Sequence, residues 1–205
     1  MGSEMCIRDR NKYFSCSEKV KIDLFLRYGS IAAAGDRHLA EFCPGDWYLK
    51  DKETVEKWGF ALTPVSWRKG DLEKRLERSE KLYSGEEKFE LKETGEEGVQ
   101  QIRALLGLGD LVTNVNIPNY GQIPNLPIGA VVETNACFRA NSLNPVFAGN
   151  IPQAIYPLIS RVCGEQEQVV DCALNRDLDG VFNAFAADPN MCISVSDARK
   201  LFDEM

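Results

Sequence analysis

The chain has 205 residues, enough for one large domain or two small ones and for a sizeable buried core. Its 31 Asp and Glu outweigh 24 Lys and Arg, and the net charge of −7 argues against a nucleic-acid-binding surface. No apolar run has the length that crosses a bilayer, and Arg8, Asp9 and Arg10 stand where a signal peptide needs its apolar segment. The expectation is a cytoplasmic protein with neither nucleic-acid nor membrane partners. The seven cysteines are odd in number and include no Cys-x-x-Cys, which fits reduced thiols better than a disulfide framework or a zinc site.

Residues 1–12 lack periodicity and read as a foreign leader, leaving 13–205 as the domain. Within 18–28, Val20, Leu24 and Tyr28 recur at i, i+4 and i+8, which predicts a helix with one buried face. Ser17 is its expected N-cap and Gly29 its C-terminal stop. A small-residue stretch follows, Ile31-Ala32-Ala33-Ala34-Gly35-Asp36, suited to close packing or to close approach of a ligand. Residues 51–58 predict a short polar helix, with Trp47, Tyr48, Trp58, Phe60 and Trp67 around it. Those aromatics read mainly as a shared core and less as sugar-stacking groups.

Residues 71–83 predict a solvated helix with opposite charges at i, i+4 spacing and Leu72, Leu76 and Leu82 on one side. A polar connection over 85–95 leads to a helix over 96–106, ended by Gly107 and Gly109. Short β-branched runs at 111–115 and 130–133 predict strands, and 137–147 a further extended segment. From 153 the pattern is helical, as one long helix or two, followed by helices over 177–187 and 196–205. Helices, then a few strands, then helices predict an α+β fold with helices packed on a small mixed or antiparallel sheet.

Between the first two strands lies Asn116-Ile117-Pro118-Asn119-Tyr120-Gly121-Gln122-Ile123-Pro124-Asn125-Leu126-Pro127. Its three prolines, three asparagines and one glycine fix φ or tolerate a left-handed backbone, so the stretch is neither helix nor central strand. From the residues alone it is a rigid hairpin connection. The stretch, followed by Ala130-Val131-Val132-Glu133, resembles the C-terminal signature of the family 4 glycoside hydrolases. A second run, Arg27-Tyr28-Gly29-Ser30-Ile31-Ala32-Ala33-Ala34-Gly35-Asp36-Arg37-His38-Leu39-Ala40-Glu41-Phe42, most resembles the α-galacturonidase branch.

That resemblance implies an NAD- and divalent-metal-dependent glycosidase, with manganese the expected metal, acting on α-galacturonides and assembling as a homo-oligomer. It implies oxidation of the sugar at C3, removal of the C2 proton by a base, elimination at C1, addition of water and return of the hydride. It further implies that the dinucleotide fold and the Cys and His metal ligands lie upstream, so none of these residues is assigned to cofactor or metal, and the chain alone is expected to be inactive. No Gly-x-Gly-x-x-Gly opens a helix here; Gly107-Leu108-Gly109 closes one.

Carried over residue by residue, Gly35-Asp36 matches a dipeptide of the family, and Asp36 becomes the candidate base. Where the family pattern has Arg at the fourth position, this chain has Leu39. Arg37 is the expected partner of a uronate carboxylate, through bidentate pairing, or else an ion-pair partner of Glu41 or Asp36. His38 is expected to assist proton transfer, to bond a sugar hydroxyl, or to be structural. Asn119 is expected to bind substrate, with Asn116 and Asn125 as further donors or self-capping residues, and Tyr28 is the next candidate base. α-Galactosidase and α-glucosidase activities, or an inert assembly module, are the alternatives.

Overall fold

The computed structural model describes residues 18–91 and 95–205. Residues 1–12, read from the sequence as a leader, Ser17 as the expected N-cap, and part of the 85–95 connection lie outside the described residues. The chain divides into two compact units. One holds the residues up to Ala61, with Asn114–Asn135 and Pro145–Met205; the other holds Leu62–Thr113 and Ala136–Asn144.

The first unit opens with helix α1 (Lys19–Tyr28), closed by Gly29 at φ 70°, a left-handed stop that suits glycine. Two short helices follow, α2 (Asp36–Glu41) and α3 (Gly45–Tyr48), then α4 (Lys52–Trp58), which Asp51 caps by accepting from Thr54 N. Val20 and Leu24 of α1 pack with Ala40, Cys43 and Tyr48 to form the local core, flanked by Tyr28, Trp47, Trp58 and Phe60. The helical face read from Val20, Leu24 and Tyr28 is the packed face.

The second unit carries α5 (Val65–Ser84) and α6 (Gly98–Leu105). Helix α5 begins six residues before the predicted 71–83, directly after Pro64, whose fixed φ suits the residue that leads into a helix. Strands β1 (Leu111–Pro118), β2 (Val131–Arg139) and β3 (Ser142–Pro145) form one sheet in that order and thread through both units. Strand β2 alternates strictly, with Val132, Thr134, Ala136 and Phe138 buried. The two-residue link from β2 to β3 places Asn141 at φ 52°, so these strands run antiparallel.

The signature loop joins β1 to β2 as a closed hairpin. Asn119 N donates to Ala130 O at 2.8 Å and Gly129 N to Asn119 O at 2.9 Å. The Asn119 side chain is fully buried, and its amide donates to the carbonyls of Ile123, Leu126 and Pro127 at 2.9–3.0 Å. Its Oδ1 accepts from Gly121 N and Ile123 N. Ile123 and Leu126 can then pack with Val132 against Ile151, Tyr156 and Ile159. The chain ends in one long helix, α7 (Tyr156–Asn175), and two shorter ones, α8 (Leu178–Ala187) and α9 (Val195–Glu204), capped by Asp177 and Ser194.

Removing the Asn119 amide takes the side-chain partner from the carbonyls of Leu126 and Pro127 and from the N–H groups of Gly121 and Ile123, while Ile123 O keeps its bond from Leu126 N at 3.2 Å. Asn119→Ala is expected to destabilise the chain by roughly 3–5 kcal/mol, measured by urea unfolding. A change under about 1 kcal/mol would show that the loop holds without it.

Candidate functional site

Helix α1 begins without a cap of its own. Glu18, the residue before it, sits at φ 56° and makes no capping hydrogen bond. The exposed N–H groups of its first turn are met from another helix. Asp36 Oδ2 accepts from Val20 N at 3.1 Å and Oδ1 from Lys21 N at 3.0 Å. Asp36 is itself the first residue of α2, so one carboxylate lies at the positive ends of two helices.

Beside this clip is a cavity of about 330 Å³, lined by Glu18, Asp36, Arg37, His38 and Phe60 with neighbouring glycines. The structure therefore brings Asp36, Arg37 and His38 to one place. His38 Nδ1 lies 3.3 Å from Glu41 Oε2, and Nε2 lies 3.4 Å from Arg37 Nη2. His38 and Glu41 are each about half exposed. Glu18 Oε2 is buried and held by an ion pair to Lys21 Nζ at 2.9 Å. The cavity thus presents a cation, an imidazole and carboxylates on a small scale, a mixture suited to a polar, ionised small molecule.

Two expectations change here. Asn119 is fully buried, and both ends of its amide serve the hairpin. Asn125 does the same, exchanging hydrogen bonds with Ile151 O and N at 2.9 and 2.8 Å. Asn in a Pro-rich loop satisfies the backbone that proline leaves unpaired. The Asp36 carboxylate also differs from a free base. It is 9% exposed, and both oxygens already accept from α1.

A second group was not anticipated. Tyr48 is buried and donates its hydroxyl to Asp23 Oδ2 at 2.6 Å. Arg27 bonds the same oxygen at 2.8 Å, contacts the Tyr48 hydroxyl, and lies over the Trp47 ring at 4.4 Å. Burial and the bond to Asp23 push the Tyr48 phenol well above its usual range. Burial also pushes the Cys43 thiol up to about 11. For Arg27, burial works against the charge, but Tyr48 and Asp23 outweigh it and raise the pKa. This cluster ties α1 to α3, and its Arg27, Tyr48 and Cys43 stay protonated at neutral pH. Tyr28 packs against the same core.

A larger cavity, about 1250 Å³, lies among α7, α8 and α9. Its lining is dominated by Val169, Leu178, Phe185, Met191 and Phe202. A sugar needs convergent polar groups, so its size does not make it the sugar site. Among the described residues no cluster of three or more His, Cys, Asp or Glu can hold a metal ion. Arg37 beside His38 further disfavours a cation there. Among the same residues no helix is long and apolar enough to cross a membrane.

Residues 5–191 match the model of the family 4 glycosyl hydrolase C-terminal domain. An α-galacturonidase of Thermoanaerobacterium saccharolyticum is 64% identical over 195 residues, spanning 95% of this chain and 42% of that protein. The crystal structure of a suspected glucosidase of Bacillus subtilis superposes with a TM-score of 0.85 at 48% identity, over 92% of this chain and 43% of that one. A Thermotoga maritima 6-phospho-β-glucosidase, solved with manganese, NAD+ and glucose-6-phosphate, shares the fold at a TM-score of 0.62 and 19% identity, over 89% of this chain and 42% of that one. The chain spans less than half the length of each of these relatives. With helices on a three-stranded sheet, the signature hairpin and this match, the chain belongs to the family 4 glycosyl hydrolases, through their C-terminal domain.

Proposed function

We propose that this chain is the sugar-positioning part of an α-galacturonidase. The observation that carries the reading is the cavity of about 330 Å³ with Arg37 and His38 on its wall, in a chain 64% identical to an α-galacturonidase. A guanidinium is matched in shape and charge to a uronate carboxylate. His38, backed by Glu41, is placed to take or give a proton or to bond a sugar hydroxyl. Asp36 is a positioning residue in this reading: it holds the start of α2, and with it Arg37 and His38, against α1.

The reaction proposed for the whole enzyme is C3 oxidation, C2 deprotonation and elimination, in a cytoplasmic homo-oligomer. NAD and manganese, bound by the Thermotoga fold relative, enter as cofactors of that whole enzyme and supply its redox and Lewis-acid chemistry. In this reading this chain's share is to bind and orient the sugar through Arg37 and His38. Phe60 and the small residues around it form the apolar part of the same wall.

Three outcomes test this. The 205-residue chain alone is expected to show no heat of NAD binding at micromolar concentrations, and no galacturonide hydrolysis; tight NAD binding would move the cofactor site into this chain. Joined to the N-terminal part of the Thermoanaerobacterium enzyme, Arg37→Ala is expected to raise KM for galacturonides about 10- to 100-fold, the worth of a charge-assisted bond, and to leave neutral galactosides little changed. An equal effect on both sugars would remove Arg37 from carboxylate recognition and favour the α-galactosidase alternative. In the same chimera Asp36→Asn is expected to cost about 1 kcal/mol of stability and less than tenfold in turnover, as for a lost helix cap. A drop of a hundredfold or more, with exchange of the C2 proton lost in parallel, would make Asp36 the base after all.

A further inference from the structure

Helix α5 spans Val65–Ser84, twenty residues of which none is buried. At about 1.5 Å per residue it is a rod of roughly 30 Å. Helices in proteins draw most of their stability from packing an apolar face, and ion pairs one turn apart add only a few tenths of a kcal/mol each. Asp71–Arg75 and Glu77–Lys81 are such pairs. Yet α5 has an apolar stripe. At about 100° per residue, Val65, Leu72, Leu76 and Tyr83 fall within roughly 40° of arc. They are 69%, 50%, 56% and 96% exposed.

The order of the stripe identifies its partner. The intervals between its residues are 7, 4 and 7, a sequence that reads the same from either end. Two copies of α5 laid antiparallel therefore bring each Leu72 to the partner's Leu76 and each Val65 to the partner's Tyr83. The charges fit the same arrangement. Lys69 and Glu80 flank the stripe on one side, at about 40° and 60° from its centre. A two-fold axis between antiparallel helices places like flanks together, so Lys69 comes within about one residue's rise, ~1.5 Å, of the level of the partner's Glu80, twice over. Glu73 and Arg75 stand further out, about 80° to either side. Arg75 is held by Asp71 at 2.9 Å.

We propose that α5 is a self-association surface, on which two copies of this chain pair antiparallel through Val65, Leu72, Leu76 and Tyr83 with Lys69 and Glu80 as reciprocal ion pairs. The proposal stands apart from the sugar chemistry and specifies the contact behind the homo-oligomer. Four apolar residues per helix make a small interface, below about 1,200 Å², which fits a weak, concentration-dependent dimer.

Sedimentation equilibrium on the full 205-residue chain, over about 1–500 µM, is expected to show a dimer with a micromolar dissociation constant. Leu76→Glu puts a charge at both ends of the central contact and is expected to leave a monomer, with helical content by circular dichroism unchanged because the residue is exposed. Lys69→Glu and Glu80→Lys are each expected to weaken the dimer about three- to tenfold, and the double variant to recover the parent constant, since both pairs are inverted together. A monomer at every concentration would overturn the proposal. So would a dimer indifferent to Leu76→Glu, which would lie on another surface such as the apolar cavity among α7, α8 and α9. Failure of the double charge variant to recover would exclude the antiparallel register. Protection of Leu76 from solvent only after joining the N-terminal part of the Thermoanaerobacterium relative would assign the stripe to an intrachain partner instead.

Discussion

The site depends on a helix that cannot cap itself. Helix α1 enters from Glu18 in a left-handed conformation, and the Glu18 side chain pairs with Lys21 Nζ instead of capping the backbone N–H groups of the first turn. Leaving two N–H groups in that turn unpaired in a buried setting costs about 1–3 kcal/mol each. Asp36 meets both with one carboxylate and is itself the start of α2. The α1 face that carries Val20 and Leu24 is thereby registered against Ala40 of α2, and Arg37 and His38 emerge beside the cavity. Asp23, Arg27 and Tyr48 fasten the other end of α1 to α3. The position of Arg37 and His38 is set by charge-assisted bonds at both ends of one helix, with a small apolar core between them.

What was legible in the sequence was what repeats locally. Val20, Leu24 and Tyr28 announced α1, the alternation of Val132, Thr134, Ala136 and Phe138 marks a half-buried strand, and the Pro- and Asn-rich run announced a hairpin. Helices α2 and α3 were not anticipated because six and four residues are too few to show a period. The start of α5 was placed late because nothing apolar repeats between Val65 and Leu72, while the cue that marks it, Pro64, acts through φ alone. The residues of the candidate site were found by resemblance to a family motif, and their roles were harder to see. Asp36 reaches backbone 15 and 16 residues away, and Tyr48 reaches Asp23 across 25. No one-dimensional pattern encodes such a contact.

Asn119 shows why a polar residue in a loop is a poor guide to ligand contact. Proline withholds an N–H and forces its neighbours out of regular pairing, so a loop with three prolines contains carbonyls that no strand can satisfy. One fully buried Asn takes three of them and returns two acceptor contacts. The hairpin is rigid for that reason, and Leu126 and Ile123 can serve as core residues instead of solvent-facing loop tips. The backbone geometry of this hairpin needs those residue types, whether or not a sugar ever touches them.

The two cavities and α5 separate by the same criterion of what each can satisfy. The small cavity sets Arg37, His38 and carboxylates beside Phe60 and Ala61, so an occupant with both charge and hydroxyls is matched by groups on its wall. The large one among α7, α8 and α9 offers hydrocarbon, with charges such as Arg199 already engaged by Asp179 and Asp203 at its edge. Apolar surface of that kind specifies burial without specifying a partner. The α5 stripe carries more information, because its spacing and its flanking charges are both reversed onto themselves by a two-fold axis. A surface that must meet a different protein has no physical reason to be its own mirror in sequence, whereas an isologous contact requires each residue i to face j and each j to face i. That requirement, met at Leu72 with Leu76, at Val65 with Tyr83 and at Lys69 with Glu80, is what distinguishes α5 from the other exposed apolar surfaces of this chain.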